Sequence, residues 1–191
     1  MDKPEGAKVG WRLLETSYPY EGKTCRLRRD QLELPKKKDL VYEYLERAEA
    51  VIVVPVTSAG EIVLIRQYRY PVDAWCVETP AGGCHDTGDA SLDEVVRKEL
   101  DEEIGASVEA VEEVGSFYSS PAYADERCHV FIAWGVQLTK KPERESTEKI
   151  ETELVPAREA IRRARSGEIA TAPCALALWW CEERLKARGF V

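Results

Sequence analysis

The sequence predicts a mixed α/β (α+β) fold, in which a sheet of mixed strand direction is covered by helices and preceded by a small antiparallel sheet. Three observations predict it. Apolar β-branched runs are followed by one long amphipathic segment, then by further strand-like runs and two helical segments, an order that a mixed sheet between helices accommodates. The runs 51–56 and 62–65 are apolar throughout, as strands buried on both faces are. Residues 10–47 instead alternate apolar and charged positions between turn signals at Pro19, Glu21-Gly22 and Pro35, the pattern of a polar antiparallel sheet. The 191 residues are therefore divided into 1–47, an N-terminal sheet with little core of its own, and 48–191, the main domain.

In chain order, Val51-Ile-Val-Val-Pro-Val56 and Ile62-Val-Leu-Ile65 form a buried hairpin closed at Ala59-Gly60. Residues 91–104 form a helix, 111–118 and 127–138 form strands, and 140–149 is a charged loop with no apolar period. A helix starts at Pro156, a residue favoured in a first turn, and stops near Ser166-Gly167. The last helix runs from Pro173 to Arg188, with Leu176, Trp179, Trp180 and Leu185 facing inward.

Composition sets limits on function. With 44% hydrophobic and 32% charged residues the chain is a globular domain, neither disordered nor collagen-like. No apolar run approaches the ~20 residues of a membrane span, and Met1-Asp-Lys-Pro-Glu5 lacks the apolar stretch of a signal peptide, so a cytoplasmic protein without a membrane partner is expected. Lys plus Arg number 27 against 35 Asp plus Glu, and a net charge of −8 offers no global attraction to nucleic acid. An acidic protein that handles phosphates needs local cations or a metal. The six cysteines contain no C-x-x-C pair and are expected as reduced thiols.

The informative segment is Ser91-Leu-Asp-Glu-Val-Val-Arg-Lys-Glu-Leu-Asp-Glu-Glu-Ile-Gly105. On a helix, Leu92, Val95 and Val96 form a stripe that continues into Glu99, Glu102 and Glu103. Acids thus occupy the apolar face, near a helix C-terminus where the macrodipole disfavours them. Three carboxylates on a rigid helix suit a hard divalent ion, with Mg²⁺ completing its shell from water and phosphate oxygens. Taken alone, such a cluster also fits a solvated face.

Glu78-Thr-Pro-Ala-Gly-Gly83, Gly88-Asp89 and Lys98-Glu-Leu-Asp-Glu-Glu-Ile-Gly105 together resemble the Nudix hydrolase signature, G-x5-E-x7-R-E-U-x-E-E-x-G-U, in which U is a bulky apolar residue. Asp89 stands for the first Glu, Lys98 for the Arg, and the loop is two residues longer when counted from Gly82. Leu64-Ile-Arg-Gln-Tyr-Arg69 and Ser120-Pro-Ala-Tyr-Ala-Asp-Glu126 are similar to the ADP-ribose pyrophosphatase branch, and the likeness runs from about residue 9 to 185.

The resemblance implies a Nudix α/β/α sandwich, a nucleoside diphosphate derivative as substrate, and Mg²⁺ or Mn²⁺ as cofactor. Its implied reaction is attack of water on the pyrophosphate of ADP-ribose, giving AMP and ribose 5-phosphate. The implied metal ligands are Glu99, Glu102 and Glu103, completed by Glu78 and the Ala81 carbonyl. Arg69 is the candidate phosphate fork, or else a surface arginine; Trp11 is a candidate platform for adenine, or else a packing residue. Pro121 and Glu126 are further candidate substrate contacts. The general base is placed at Glu148, with Glu145 and Glu151 in reserve, and a homodimer joined through residues 10–47 is expected. Hydrolysis of a GDP-, UDP- or ADP-hexose, or non-catalytic sensing of a nucleotide sugar, remain open alternatives.

Overall fold

The structure is a computed structural model and describes residues 3–86, 88, 90–142 and 149–191. Its packing forms two units, Met1–Ala48 with Tyr118–Arg127, and Glu49–Phe117 with Cys128–Val191.

The first unit opens with one helical turn, α1 (Pro4–Lys8), and continues as an antiparallel sheet of β1 (Arg12–Glu21), β2 (Arg26–Leu34) and β3 (Lys38–Glu46), paired in that order. The centre of this sheet is a charge network. Arg28 and Asp30 are buried on β2. Arg28 Nε donates to Asp30 Oδ1 at 2.9 Å and its Nη1 to Glu46 Oε2 at 3.3 Å, while Thr16 Oγ1 donates to Asp30 Oδ1 at 2.7 Å. Each buried charge therefore has a partner, as burial requires.

The segment Tyr118–Arg127, read along the chain as part of the main domain, packs with β3 instead. Leu45 N–H donates to Tyr123 O at 2.8 Å, and Arg47 N–H donates to Asp125 Oδ1 at 2.9 Å. Backbone bonds between such distant segments leave no periodic trace in the sequence, so the local reading could not see them.

The second unit contains β4 (Ala50–Val56), β5 (Glu61–Arg69), β6 (Ala74–Glu78), β7 (Ala81–Gly83), α2 (Leu92–Ile104), β8 (Ala106–Ser107), β9 (Ala110–Tyr118), β10 (Arg127–Trp134), β11 (Gln137–Leu138), β12 (Ile150–Pro156), α3 (Ala157–Ser166) and α4 (Ala172–Ala187). Its main sheet has the order β12-β5-β4-β10-β9, with β6 added along β5 and β7 along β4. β4 is parallel to β10 and antiparallel to β5 and β7, so the sheet is mixed.

Alternation along the two central strands assigns the faces. Val51, Val53, Val63 and Ile65 pack with Val95, Val96, Leu100 and Ile104 of α2. Ile52, Val54, Ile62 and Leu64 pack with Ala160, Ile161 and Ala164 of α3 and with Ala177, Leu178 and Leu185 of α4. Helices thus cover both faces, the expected α/β/α sandwich. The β4–β5 turn closes at Gly60, whose φ of +78° suits glycine.

One expectation fails on α4. Trp179 is exposed and Leu176 only half buried, while Cys174, Ala177, Leu178, Cys181 and Leu185 face the core. The run Leu176–Cys181 contains only apolar residues and cannot reveal its own phase; the buried residues follow the i, i+3, i+4 spacing from Cys174. Trp180 lies between the two environments, with its ring edge-to-face on Phe117 at 5.9 Å.

Candidate active site

The helix α2 is fixed at both ends by its own sequence. Ser91 and Glu94 form a capping box: Glu94 N–H donates to Ser91 Oγ at 3.3 Å and Ser91 N–H to Glu94 Oε2 at 2.7 Å. At the other end Gly105 takes φ +64°, and its carbonyl accepts the N–H groups of Thr139 and Lys140 at 2.9 and 3.1 Å. A side chain at Gly105 would strike the Lys140 carbonyl as well as strain the backbone.

Between these ends the helix lays two carboxylates along β7. Glu103 is buried, only 3% exposed, and its Oε2 accepts the Ala81 N–H at 3.2 Å. One turn earlier, Glu99 lies so close to Gly82 that a Cβ there would run into its carboxylate. The glycine is thus a requirement of the glutamate, a relation the sequence reading missed although Pro80-Ala-Gly-Gly83 signalled a close backbone approach. The third acid, Glu102, is half exposed and accepts from Lys98 Nζ at 3.1 Å, an i,i+4 pair on the rim.

Arg69 ends β5 and Glu78 ends β6. The structure joins them to each other: Arg69 Nε lies 3.2 and 3.0 Å from the two carboxylate oxygens of Glu78, and Nη2 lies 2.6 Å from Oε2. Glu78 is buried and the Arg69 side chain half exposed. Partial burial works against the guanidinium charge, but the Glu78 hydrogen bonds and charge, with the charge of Glu103, hold its pKa above the ordinary value. The residues expected to grip a phosphate and a metal are therefore mutual partners here.

Strand parity also puts Gln67 on this face. Gln67 and Arg69 continue the series Val63, Ile65 toward α2, and Gln67 is paired in register with Cys76 of β6 and Ile150 of β12. It is buried, and its Oε1 has no hydrogen-bond partner among the described residues. Nothing in its local sequence sets it apart from an ordinary strand residue.

The same parity removes a candidate. Glu151 is paired in register with Arg66, on the face opposite Gln67, and accepts from Arg66 Nη1 at 3.1 Å. As a reserve for the general base it is corrected: its side chain is committed to the sheet face away from α2. Glu148 and Glu145, like Asp89 in the signature loop, lie outside the described residues.

Trp11 and Pro121 are brought together within the first unit, where they line a cleft of about 780 Å³ with Leu13, Tyr42, Tyr44 and Tyr118. The Tyr44 hydroxyl is buried there without a partner among the described residues. Glu126 does not line this cleft: it accepts from Ser119 Oγ at 2.7 Å and pairs with Arg47 at 3.2 Å, so it braces the segment that carries Pro121.

A NUDIX domain match covers residues 46–173, well over half of the chain. The chain belongs to the Nudix hydrolase family. The ADP-ribose pyrophosphatase of Bacillus subtilis (strain 168) is 31% identical over 172 residues, 88% of this chain and 92% of that protein. The GDP-mannose pyrophosphatase of Cronobacter sakazakii is 31% identical over 186 residues, 94% and 93% of the two chains. A crystal structure described as an ADP compounds hydrolase superposes with a TM-score of 0.82 over 95% of this Nudix chain and 97% of that one, at 21% identity, which shows the shared fold. This Nudix hydrolase thus resembles the ADP-ribose pyrophosphatases in sequence.

Nudix hydrolases generally need a divalent cation, and the donor type fits one: Glu99 and Glu103 project from one helix face beside β7 and supply the carboxylate oxygens that a hard cation takes. Among the described residues, however, no three His, Cys, Asp or Glu side chains are gathered to hold an ion as they stand. Lys98 pairs with Glu102 and Arg69 with Glu78, so two of these acids are engaged by side-chain cations.

Proposed function

We propose that this Nudix hydrolase cleaves the pyrophosphate of ADP-ribose to AMP and ribose 5-phosphate with Mg²⁺ as cofactor. The observation that carries the reading is the Arg69–Glu78 fork with Glu103 in electrostatic reach, which joins a diphosphate-binding guanidinium to a carboxylate face. The 31% identity to an ADP-ribose pyrophosphatase over 88% of the chain supports it.

In this reading Glu99, Glu102 and Glu103 hold the cation, with Glu78 and the Ala81 carbonyl completing its shell. A bound divalent ion neutralises the pyrophosphate and lowers the pKa of the attacking water. Arg69 turns its fork to phosphate oxygens, whose geometry a guanidinium matches bidentately. Glu148 accepts the proton of the water as its oxygen attacks phosphorus. The bond from that phosphorus to the bridging oxygen breaks, and the bridging oxygen leaves on the other phosphate. Within the first unit, the cleft of Trp11 and Pro121 is proposed as a nucleobase platform, to which the Tyr44 hydroxyl offers a hydrogen bond. The segment braced by Glu126 holds Pro121 in place.

Product analysis tests this reading. Incubation with ADP-ribose and Mg²⁺ should release AMP and ribose 5-phosphate, and EDTA should abolish release. Preferred turnover of GDP-mannose with GMP release would instead favour the second reading, which the Cronobacter relative supports. No turnover of any nucleoside diphosphate sugar with Mg²⁺ or Mn²⁺ would leave a binding domain and overturn both.

The thin N-terminal sheet is proposed to pair with a second copy of the chain, because its charged centre buries little apolar surface of its own. Light scattering should report about twice the 21.6 kDa chain mass. A monomer at micromolar concentration would refute this.

A further inference from the structure

We infer that Gln67 is a positioning residue of this site: its carboxamide oxygen receives the Arg69 guanidinium when that group leaves Glu78 for an anionic ligand. This rests on the reading of Arg69 as the diphosphate contact.

The observation behind it is the buried Gln67 Oε1, which has no hydrogen-bond partner among the described residues. An unsatisfied buried amide is a standing penalty on folding and demands an explanation. Four side chains surround it on its own sheet face: Ile65 and Arg69 along β5, Cys76 on β6 and Ile150 on β12. The two isoleucines have no side-chain donor and the thiol is a weak one. Arg69 is the strong donor among these four, and its Nε and Nη2 are turned to Glu78.

Register then sets the path of that side chain. Arg69 is paired with Ala74, and Glu78 with Ile65, so the fork between them spans the row occupied by Gln67 and Cys76. A guanidinium released from Glu78 is already beside Gln67. It carries five N–H donors in one plane, so one edge can take a phosphate bidentately while another N–H is held from behind. A neutral oxygen suits that second task, since it orients the guanidinium without neutralising the charge a phosphate needs.

Two kinds of residue predict opposite results on replacement. A buried glutamine kept for structure loses stability when its amide is removed; one kept for a ligand loses binding while the fold holds or gains. Gln67→Met, close in shape, should therefore keep or raise Tm. Its Kd for ADP, measured by calorimetry in EDTA, should rise about tenfold, and KM for ADP-ribose with Mg²⁺ should rise more than kcat falls. Gln67→Glu should bind ADP more weakly still, because a carboxylate competes with phosphate for Arg69. In an Arg69→Lys background, Gln67→Met should add little further loss, the signature of one coupled unit.

A Gln67→Met variant that binds ADP as the parent does, or that loses Tm without losing affinity, overturns the inference. Failure of the parent chain itself to bind ADP or to hydrolyse any nucleoside diphosphate derivative would instead sink the reading of the whole site.

Discussion

Glu103→Gln is expected to lower kcat roughly a thousandfold or more, equivalent to about 4 kcal/mol of lost transition-state stabilisation, while the fold survives. The substitution changes charge and almost nothing else. Glutamine has the same length, fills the same buried space between α2 and β7, and still presents an oxygen to the Ala81 N–H now held at 3.2 Å. No cavity opens, so the fold should tolerate the exchange with little change in thermal stability. What is lost is the negative ligand that a divalent cation requires. Calorimetric titration of the variant with Mn²⁺ should show weakened binding beside the kinetic defect. Glu102→Gln provides the comparison, since Glu102 sits on the rim with Lys98 rather than in the interior. Near-normal turnover by both variants at saturating Mg²⁺ would exclude Glu102 and Glu103 as metal ligands.

How much of this was legible in the sequence depends on whether the signal is local. The helix expected over 91–104 is found as Leu92–Ile104, and the residues that end it, Ser91, Glu94 and Gly105, each lie within a few residues of the bond they make. The alternation of β4 and β5 was visible only as apolar runs; that odd residues face α2 and even residues face α3 and α4 needed the packing. From that parity follow the three findings on the site that sequence could not supply: the neighbourhood of Gln67, the turning away of Glu151, and the fork between Arg69 and Glu78. The last is the clearest case. Both residues were singled out, but a pairing across a hairpin depends on register, which slips every side chain to the other face if displaced by one residue. The placement of Tyr118–Arg127 beside β3 was illegible for a related reason, as its bonds are long-range backbone contacts.

Glu148→Gln is expected to cut kcat by roughly 10²- to 10⁴-fold with little change in the affinity for ADP, the pattern of a lost general base. The glutamates of α2 are assigned to a cation, and a carboxylate bound to metal is a poor proton acceptor, so the proton of the attacking water needs another carboxylate. Three were candidates from the sequence. Strand register now separates them: Ile150 packs on the α2 side of the sheet, so its neighbour Glu151 must face the other way, and its bond to Arg66 shows that it does. Glu151→Gln should therefore leave turnover close to that of the parent, the loss of one exposed ion pair being worth little. Glu148 and Glu145 precede the strand and are the two that remain. Because a general base acts in its ionised form, the acidic limb of the kcat profile should disappear in whichever of Glu148→Gln and Glu145→Gln removes it. Loss of that limb in Glu145→Gln with Glu148→Gln fully active would shift the assignment by three residues. Full activity in both would place the base elsewhere in the chain.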